Sequence, residues 1–564
     1  MNKEYKKAKT YMKKYAKYAD YSKEELIDEL ESLKNKKYGL VWDKKNSQEL
    51  IDAYVNWENV PENFTPNKFP VLKELKNKEI LPDIENPINF LIEGDNYHAL
   101  AVLNFTHKGK VDFIYIDPPY NIGNNDFIFN DKFVDKDDPW RHSKWLTFME
   151  KRLRLAKSLL KKTGSIFISI GDNEFAQLKL LCDEIFGENN FYGCLTWIKR
   201  TKSTNSGKAK KMIQQKVEYI LVYGKQSSQS FQGFKLVLSG KKKKYPHIGK
   251  FGKCRFENLE ATDYGRKKRN TMKFKILDVG PKPGRRWQIG EDLANKLVAE
   301  SKIELVDNFP MRAYYPEDEE GESFVPFWSH LEDTGTAETG KQELNDIIGP
   351  DHGLDTVKPL PLIKILLNRF DKNIVVLDFF AGSGTTAQAV IESNALDSGK
   401  RRFILCTNNE NNICTDICFP RLEKLIKGYK NYKGESKEGL SSNLKYYKND
   451  FVGAQPTDRN KRDLVNNSSE MICMREDIFD IIEDKELSFR IYKKNNKYLG
   501  IVFDEDSIED FKKAGNKLTG EFIIYCFSYN ETSPENEFED FKNKHKLEPI
   551  PEIILKVYRE IFKK

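Results

Sequence analysis

The sequence predicts a doubly wound α/β sheet that is interrupted by a large insertion and followed by a smaller α+β segment. Short β-rich runs alternate with amphipathic helical segments from residue 88 onward, the pattern of a buried parallel sheet. Two of these runs end in turns rich in acid, proline or glycine, where open α/β sheets bind ligands. The stretch 226–344 lies between those two turns and breaks the alternation.

Size and composition limit the class of protein. A chain of 564 residues is too long for one core, so several domains are expected. The 39% hydrophobic and 32% charged residues favour a soluble globular protein. No apolar run approaches the length of a membrane span, and the first twenty residues lack the apolar region of a secretory signal. We therefore expect a cytoplasmic protein without membrane attachment.

The eight cysteines fit a reducing compartment. None forms a C-x-x-C pair, and only Cys414 and Cys418 lie close together in the sequence. A metal site would need two more ligands at matching spacing, which the sequence lacks. Buried free thiols are the prediction, and a redox or metal role is the alternative.

The amino-terminal region, 1–85, is predicted to be helical. Ser22 and Glu25 form a capping box, and leucine and isoleucine follow at helical spacing. This region is expected to pack on the body of the protein; a dimer or partner surface is the alternative.

The predicted sheet begins after this region. Its strand candidates are 90–95, 111–117, 164–170, 217–223, 373–380 and 402–408. Residues 145–162 form an amphipathic helix, because Met149, Leu153, Ala156 and Leu160 share one stripe. The candidates divide the chain into a first catalytic half, 86–225, and a second, 345–450.

The insertion, 226–344, contains three basic runs at 240–246, 265–270 and 282–286. Basic runs are often only solvated faces, but three close together favour a polyanionic partner. A separate functional module is expected here. The last segment, 451–564, has strand candidates at 498–503 and 520–529 and forms a further domain.

The segment 373–390, "NIVVLDFFAGSGTTAQAV", predicts a strand, a glycine turn and a helix. Asp378 closes the strand, Gly382 and Gly384 allow close approach of a ligand, and Thr385 and Thr386 are expected to cap the helix. No lysine follows Gly384 and G-x-G-x-x-G is absent, so a ligand without a pyrophosphate, such as S-adenosylmethionine, is favoured.

A later acid can complete this ligand site. Glu410 follows the next predicted strand and can accept hydrogen bonds from ribose hydroxyls. An ordinary solvated acid is the alternative.

The segment 111–123, "VDFIYIDPPYNIG", ends a buried strand on Asp117. Pro118 and Pro119 lack N–H donors, so nearby carbonyls are expected to be held outward as acceptors. An acid and a carbonyl together suit an exocyclic amine with two hydrogens, and Tyr120 offers a face on which a base can stack. A purely structural turn is the alternative.

These groups suit methylation of an adenine amine. Accepting both amine hydrogens draws the nitrogen towards tetrahedral geometry and turns its lone pair towards a sulfonium methyl. Positioning and electrostatics would supply most of the catalysis, and no metal is required.

The two motifs, in this order, resemble the β class of amino-methylating DNA methyltransferases, in which D-P-P-Y precedes the S-adenosylmethionine motif. Further stretches are similar to the modification subunit of Type III restriction–modification systems, over roughly 25–450 of the chain. They are 36–43, 91–100, 145–174, 217–225 and 355–359. Gly171 and Val217 depart from the family, which commonly has an acid and a histidine there.

The resemblance implies a Rossmann-like methyltransferase sheet in permuted motif order, with a target-recognition domain at 226–344. It implies N6-adenine methylation of a short asymmetric DNA site. The implied catalytic residues are Asp117, Pro118, Pro119 and Tyr120. The implied S-adenosylmethionine contacts are Asp95, Asn96, Lys358, Pro359, Asp378, Phe379, Phe380, Ala381, Gly382, Ser383, Gly384, Thr385 and Glu410. Candidate DNA contacts in the insertion are Arg266, Arg269, Arg285 and Arg286.

The implied partners are double-stranded DNA, a second copy of the chain in a homodimer, and a separate restriction subunit that would cleave DNA. Four alternatives stay open: a stand-alone adenine methyltransferase, an N4-cytosine methyltransferase, an RNA or protein-glutamine methyltransferase, and a catalytically idle DNA-binding specificity subunit.

Overall fold

The computed structural model describes residues 40–42, 68–83, 85–123, 127–129, 132–203, 207–238, 244–263, 269–319, 324–529 and 532–562. The predicted capping box at Ser22, most of the predicted helical region and Arg266 lie outside these residues.

The chain divides into two compact units. The larger comprises Met1–Gly233 and Trp328–Lys564, and the smaller comprises Phe234–Phe327. The smaller unit therefore lies inside the predicted 226–344 insertion but is shorter at both ends.

The larger unit begins with an alternation of strands and helices. Its first elements are β1 (Lys68–Glu74), β2 (Ile88–Glu93), α1 (Asn96–Thr106), β3 (Val111–Ile116), β4 (Ile128–Phe129), β5 (Lys132–Phe133), α2 (Arg141–Leu159), β6 (Leu160–Ile170), α3 (Phe175–Phe186), β7 (Phe191–Ile198) and β8 (Val217–Gly224).

The smaller unit consists mainly of short antiparallel strands. Its elements are β9 (Val237–Leu238), β10 (His247–Gly249), β11 (Gly252–Asn258), β12 (Glu260–Thr262), β13 (Arg285–Trp287), α4 (Glu291–Ala299), β14 (Ile303–Val306), β15 (Phe309–Tyr314) and β16 (Phe324–Val325). A small core around Trp287, Leu297 and Ile303 holds part of it together.

The chain then returns to the larger unit. The elements of this part are β17 (His330–Leu331), α5 (Ala337–Ile348), α6 (Leu360–Leu367), β18 (Val375–Asp378), α7 (Thr385–Asp397), β19 (Arg402–Thr407), α8 (Phe419–Lys427), β20 (Tyr429–Lys430), β21 (Ser436–Lys437) and β22 (Asn443–Gly453). β17, β18, β19 and β22 complete the main sheet, and β20 and β21 form a separate two-stranded sheet.

The final segment adds a second sheet to the same unit. Its elements are α9 (Asp458–Asn466), α10 (Ser469–Glu476), β23 (Asp480–Lys485), β24 (Phe489–Lys494), β25 (Lys497–Val502), α11 (Ile508–Gly515), β26 (Glu521–Phe527), β27 (His545–Ile550) and α12 (Glu552–Phe562). β23 to β27 follow one another in order across this sheet.

The main sheet confirms the predicted α/β fold. Its strand order is β1-β22-β2-β19-β18-β3-β6-β8-β7-β17. The six strands from β22 to β6 are parallel to one another, while β1 and β8 pair antiparallel with β22 and β6. Helices α1 to α3 pack on one another, as do α6 to α8, and members of both groups contact the sheet. β3 and β18 are adjacent although most of the chain's first catalytic half and the insertion separate them in sequence.

Two sequence-based expectations differ from the structure. Residues 68–74 were expected to be helical but form β1, an edge strand that pairs with β22. Pro70 disfavours a helix interior and is tolerated in an edge strand, where its missing donor breaks no ladder. The predicted boundary between residues 450 and 451 falls inside β22, which continues to Gly453.

The segment after β22 shares its core with the main sheet. Val465, Met471, Ile501 and Tyr558 belong to the same hydrophobic cluster as the central strands. None of the helices among the described residues has the length and apolar character that crossing a lipid bilayer would require.

Candidate active site

The two predicted motifs lie at the same edge of the main sheet. Asp117 follows β3 directly, and Asp378 is the last residue of β18. The two strands are parallel neighbours, with Leu377 paired to Ile114. Neighbouring strands in a sheet are about 4.8 Å apart, so the turns that follow β3 and β18 leave the sheet next to each other. The negative charge of Asp117 contributes to the raised pKa of Asp378.

Two prolines and a buried tryptophan shape the turn after β3. The indole Nε1 of Trp145 on α2 donates a 2.7 Å hydrogen bond to the carbonyl oxygen of Pro119. That carbonyl is therefore directed into the protein, contrary to the expectation that the carbonyls near the two prolines are held outward. Among the described residues, none donates a hydrogen bond to the carbonyl of Pro118, which remains the acceptor beside Asp117.

The carboxylate of Asp117 is bound by a lysine from the other half of the catalytic unit. Lys358 Nζ lies 2.8 Å from both Oδ1 and Oδ2 of Asp117 and 3.0 Å from the hydroxyl of Tyr120. The resemblance implied that Lys358 lines the cofactor cavity; the structure places its ammonium on the predicted catalytic acid. Burial lowers the pKa of Lys358, but Asp117 and Glu218 more than offset this, so the pKa is raised.

A second acid, Glu218 on β8, completes this cluster. Its Oε2 accepts a 3.0 Å hydrogen bond from Tyr120 and lies 3.4 Å from Lys358 Nζ, while its Oε1 is 2.6 Å from Lys199 Nζ. Burial opposes ionisation, but Lys358 and Lys199 hold the pKa of Glu218 below its usual value. Sequence reasoning missed Glu218, although an acid within an apolar strand is a signal of a paired charge.

Contacts to both the hydroxyl and the ring hold the side chain of Tyr120 in place. Its hydroxyl contacts Glu218 and Lys358, and its ring borders Gly171. A Cβ at position 171 would lie 3.1 Å from Tyr120 Cδ2. The glycine that departs from the family pattern therefore leaves room for the predicted stacking ring.

A buried acid, Glu174, stabilises the turn that follows β3. Glu174, which is 0% exposed, accepts a 2.6 Å hydrogen bond from the Nδ2 of Asn121, and its Oε1 lies 2.6 Å from the Nδ1 of His142. Burial raises the pKa of Glu174 to about 8. Sequence analysis did not identify this group.

The glycine turn after β18 is organised from within. The Oδ1 of Asp378 accepts the backbone N–H of Phe380, and its Oδ2 accepts the hydroxyl of Thr386 at 2.5 Å. Burial raises the pKa of Asp378 to about 7. Both oxygens are thus used in holding the turn, and Asp378 is 3% exposed.

The helix that follows the turn is not capped as expected. Gly384, with φ +83°, is the N-cap of α7 and no side chain caps it. Thr386 donates to Asp378, and the Thr385 hydroxyl lies 3.1 Å from Arg421 Nη1. Both hydroxyls stabilise the turn through tertiary contacts, which a local sequence pattern does not reveal.

Arg421 on α8 is a further residue that sequence reasoning missed. Its side chain is fully buried. Its Nη1 contacts the carbonyl and Oγ of Ser383 at 3.1 and 3.0 Å, and its Nε donates to Gln388 at 2.8 Å. Ser383, Thr385 and the buried Phe379 and Ala381 therefore build the turn, while Phe380 and Gly382 are partly exposed.

Asn96, the first residue of α1, contacts the glycine turn, and Asp95 precedes it as the N-cap of the helix. The Nδ2 of Asn96 donates to the carbonyl of Phe379 at 2.7 Å, and buried Arg152 contacts both Asn96 Oδ1 and Asp95. The Asp95 side chain remains 41% exposed. Glu410 is exposed in the turn after β19 and accepts from Asn408. Pro359 is buried at the start of α6.

The candidate DNA contacts lie in the smaller unit. Arg285 and Arg286 are on β13 and lie 3.8 and 4.0 Å from Glu260 and Asp263. Arg269 is exposed. Cys414 and Cys418 are buried free thiols, and burial raises the pKa of Cys414 to about 11.

The fold and the paired motifs define the class of protein, and comparison with known proteins agrees. A family model described as DNA methylase matches residues 111–419, more than half of the chain. The chain belongs to this family of DNA methylases.

Its curated relatives include modification subunits. The Type III restriction-modification enzyme StyLTI Mod subunit of Salmonella typhimurium strain LT2 is 37% identical over 363 residues, 58% of this chain and 55% of that protein. The EcoP15I Mod subunit of Escherichia coli is 30% identical, over 59% of this chain and 60% of that protein. The Type II methyltransferase M.KpnI of Klebsiella pneumoniae is 32% identical, over 62% of this chain and 86% of that protein.

These matches confirm the predicted resemblance to Type III modification subunits. The chain spans a little over half the length of the Type III relatives that it matches.

Proposed function

We propose that this protein transfers a methyl group from S-adenosylmethionine to the N6 amine of an adenine flipped out of double-stranded DNA. The observation that supports this most directly is the adjacency of β3 and β18. It brings the D-P-P-Y turn, with Asp117 and the carbonyl of Pro118, next to the glycine turn.

The residues around the glycine turn fit S-adenosylmethionine. At Gly382 a Cβ would meet only the carbonyl of Phe380, 4.0 Å away, so the turn borders open space. Phe380 offers a partly exposed ring, while Asp95 and Glu410 offer exposed carboxylates for hydroxyl and amine groups. When bound, S-adenosylmethionine supplies an activated methyl group. Asp378, Ser383, Thr385 and Arg421 would hold the turn in shape rather than touch the ligand.

The chain's own groups would orient the amine. Asp117 accepts one amine hydrogen and the Pro118 carbonyl accepts the other, so the nitrogen lone pair is directed out of the ring plane. Stacking on Tyr120 contributes about 1–3 kcal/mol, which helps to offset the few kcal/mol needed to unstack the base. Arg266, Arg269, Arg285 and Arg286 would add phosphate contacts that weaken with salt.

The proposed biological role is the modification subunit of a Type III restriction–modification system, as a homodimer with a separate restriction subunit. Two relatives named as Mod subunits support this role. A stand-alone methyltransferase is the second candidate, because the Type II methyltransferase M.KpnI is matched over 86% of its length. Co-purification with the product of a neighbouring restriction gene would separate the two.

The test of the activity is incorporation of a labelled methyl group into DNA, with the modified base identified after digestion. The purified wild type should label adenine at N6. Asp117→Ala should lower transfer by about 10²-fold or more, because one of the two amine acceptors is lost, while S-adenosylmethionine affinity changes little. Label on cytosine N4, or loss of cofactor binding in this variant, would contradict the assignment.

A further inference from the structure

The ammonium of Lys358 occupies the contacts that a target amine would need. An ammonium has three hydrogens to donate. In the structure its neighbours are both carboxylate oxygens of Asp117, at 2.8 Å, and the Tyr120 hydroxyl, at 3.0 Å. The Asp117 side chain is 32% exposed and its carboxylate has about four acceptor sites, so an adenine amine that reaches Asp117 competes with Lys358 for this carboxylate.

The position of Lys358 is imposed by its backbone. Gly340 of α5 packs so closely on the carbonyls of Val357 and Lys358 that a Cβ at position 340 would clash with them. Leu360, two residues after Lys358, donates its N–H to Glu343 at 2.8 Å, which fixes the start of α6. The long side chain of Lys358 is therefore the part of this segment that can move.

Displacement of Lys358 requires a second negative charge. A neutral amine does not replace an ammonium on a carboxylate if the ammonium is left buried without a counter-charge. Glu218 Oε2 lies only 3.4 Å from Lys358 Nζ, and Glu218 is 5% exposed. The Tyr120 and Trp197 rings, 5.1 and 5.4 Å from Nζ, flank the same space.

We propose that Lys358 is a displaceable stand-in for the target amine, which holds Asp117 until the flipped base arrives and then moves onto Glu218. Lys358 and Glu218 are then positioning residues that set how strongly the site selects a base bearing an exocyclic amine. The inference rests on the proposed function. It requires no change of bonds, only an exchange of hydrogen-bond partners.

The test compares binding of two duplexes that carry the recognition site, identified by methylome sequencing of cells expressing the chain. One duplex has adenine at the target position, and the other has purine, which lacks the amine. The ratio of their dissociation constants, measured with S-adenosylhomocysteine present, reports how readily an amine takes Asp117 from Lys358.

Lys358→Met removes the ammonium that competes with the adenine amine for Asp117. It should raise the preference for adenine over purine about tenfold. Glu218→Gln keeps the shape of the side chain but removes the carboxylate onto which Lys358 would move. It should reduce the preference for adenine over purine by a similar factor. In the double variant the Glu218 effect should vanish, because no ammonium remains to be moved. Lys364→Met, which removes a lysine paired with Glu392 at 2.5 Å, is the matched control and should keep the wild-type ratio.

The outcomes distinguish this inference from the proposed function. A wild type that methylates adenine, with an unchanged ratio in both single variants or with additive effects in the double variant, would overturn the inference alone. A wild type that transfers no methyl group, and therefore leaves no methylated site in the sequenced DNA, would overturn the proposed function and the inference with it.

Discussion

At the residue scale, Gly382 determines how closely a ligand can approach the turn between β18 and α7. Its φ is +50°, and a Cβ there would enter open space. Gly382→Val should raise the dissociation constant of S-adenosylmethionine at least tenfold, since a branched side chain fills that space and is strained at positive φ. Calorimetric titration would measure this. Gly187→Val, at φ +100° beyond α3, imposes similar strain elsewhere and should leave the affinity unchanged. Equal affinities of the wild type and both glycine variants for S-adenosylmethionine would exclude the turn as the cofactor site.

Glu174 should make stability depend on pH. Its pKa is about 8 in the folded protein because of burial, above the ordinary value of 4.5. The folded state therefore keeps a proton that the unfolded state releases. The stability that this group contributes is present below about pH 4.5 and is lost as the pH rises through about 8.

Comparison with Glu174→Gln removes the titration of Glu174, while His142, whose pKa is lowered by burial and by Arg141, is retained. Relative to the variant, the wild type should lose up to a few kcal/mol of unfolding free energy between about pH 5 and 8. Thermal unfolding followed by calorimetry across this range measures the difference. Glu188→Gln, at an exposed position, is the control. Parallel profiles for wild type and Glu174→Gln would contradict the prediction.

The sequence predicts the residues that belong to short motifs but not their partners. Asp117, Gly382 and Gly384 were found because a strand end, prolines and glycines are local signals. Glu218 and Arg421 were missed, because a single acid in β8 or a single arginine in α8 does not reveal which charge it meets. Lys358 was assigned to the cofactor cavity for the same reason.

At the scale of elements, α8 stabilises the glycine turn through one guanidinium. Arg421 joins Ser383, Thr385 and Gln388, and burial lowers its pKa to about 10, so it stays protonated at neutral pH. Arg421→Met should weaken S-adenosylmethionine binding about 10–100-fold, by analogy with the loss of a residue that supports a metal ligand. Equilibrium binding would measure the loss.

A second variant separates the effect of the positive charge of Arg421 on cofactor binding from the effect of its planar shape. Arg421→Lys should be intermediate, because one ammonium cannot reach both Gln388 and Ser383 as a planar guanidinium does. Lys424→Met on the same helix, which loses a 2.9 Å contact to the carbonyl of Ile347, is the control. Unchanged cofactor affinity in Arg421→Met, with a lowered unfolding temperature, would assign Arg421 to stability alone.

Strands with continuous apolar runs were predictable, and charged strands were not. β2, β3, β6, β18 and β19 are apolar because both of their faces are covered. β22 was missed because it contains Lys445, yet this lysine is buried and lies 2.5 Å from both Glu74 and Glu79. Its paired acids come from segments that are far away in sequence, so hydropathy alone gives no indication of the strand.

At the scale of the whole molecule, strand order explains how a permuted sequence forms one site. β18 lies between β19 and β3, so the two motifs meet although the insertion separates them along the chain. The chain leaves the larger unit after Gly233 and returns at Trp328. An exchange of the smaller unit can therefore leave the strands that hold the site intact.

Two chimaeras test this division. Replacing 234–327 by the corresponding unit of a relative should retain methyl transfer but move it to the relative's DNA sequence, because the exchanged unit carries the proposed DNA contacts. Replacing 226–344 in the same way should lower transfer relative to the narrower exchange, because the relative's counterparts of β17 and Gly340 must then fit the native β7 and Lys358. The wider exchange replaces β17, whose Leu331 pairs with Trp197 of β7, and Gly340, which positions Lys358. Sequencing methylated DNA from cells that express each chimaera gives the result. An unchanged methylation sequence with the 234–327 exchange would show that recognition resides elsewhere in the chain.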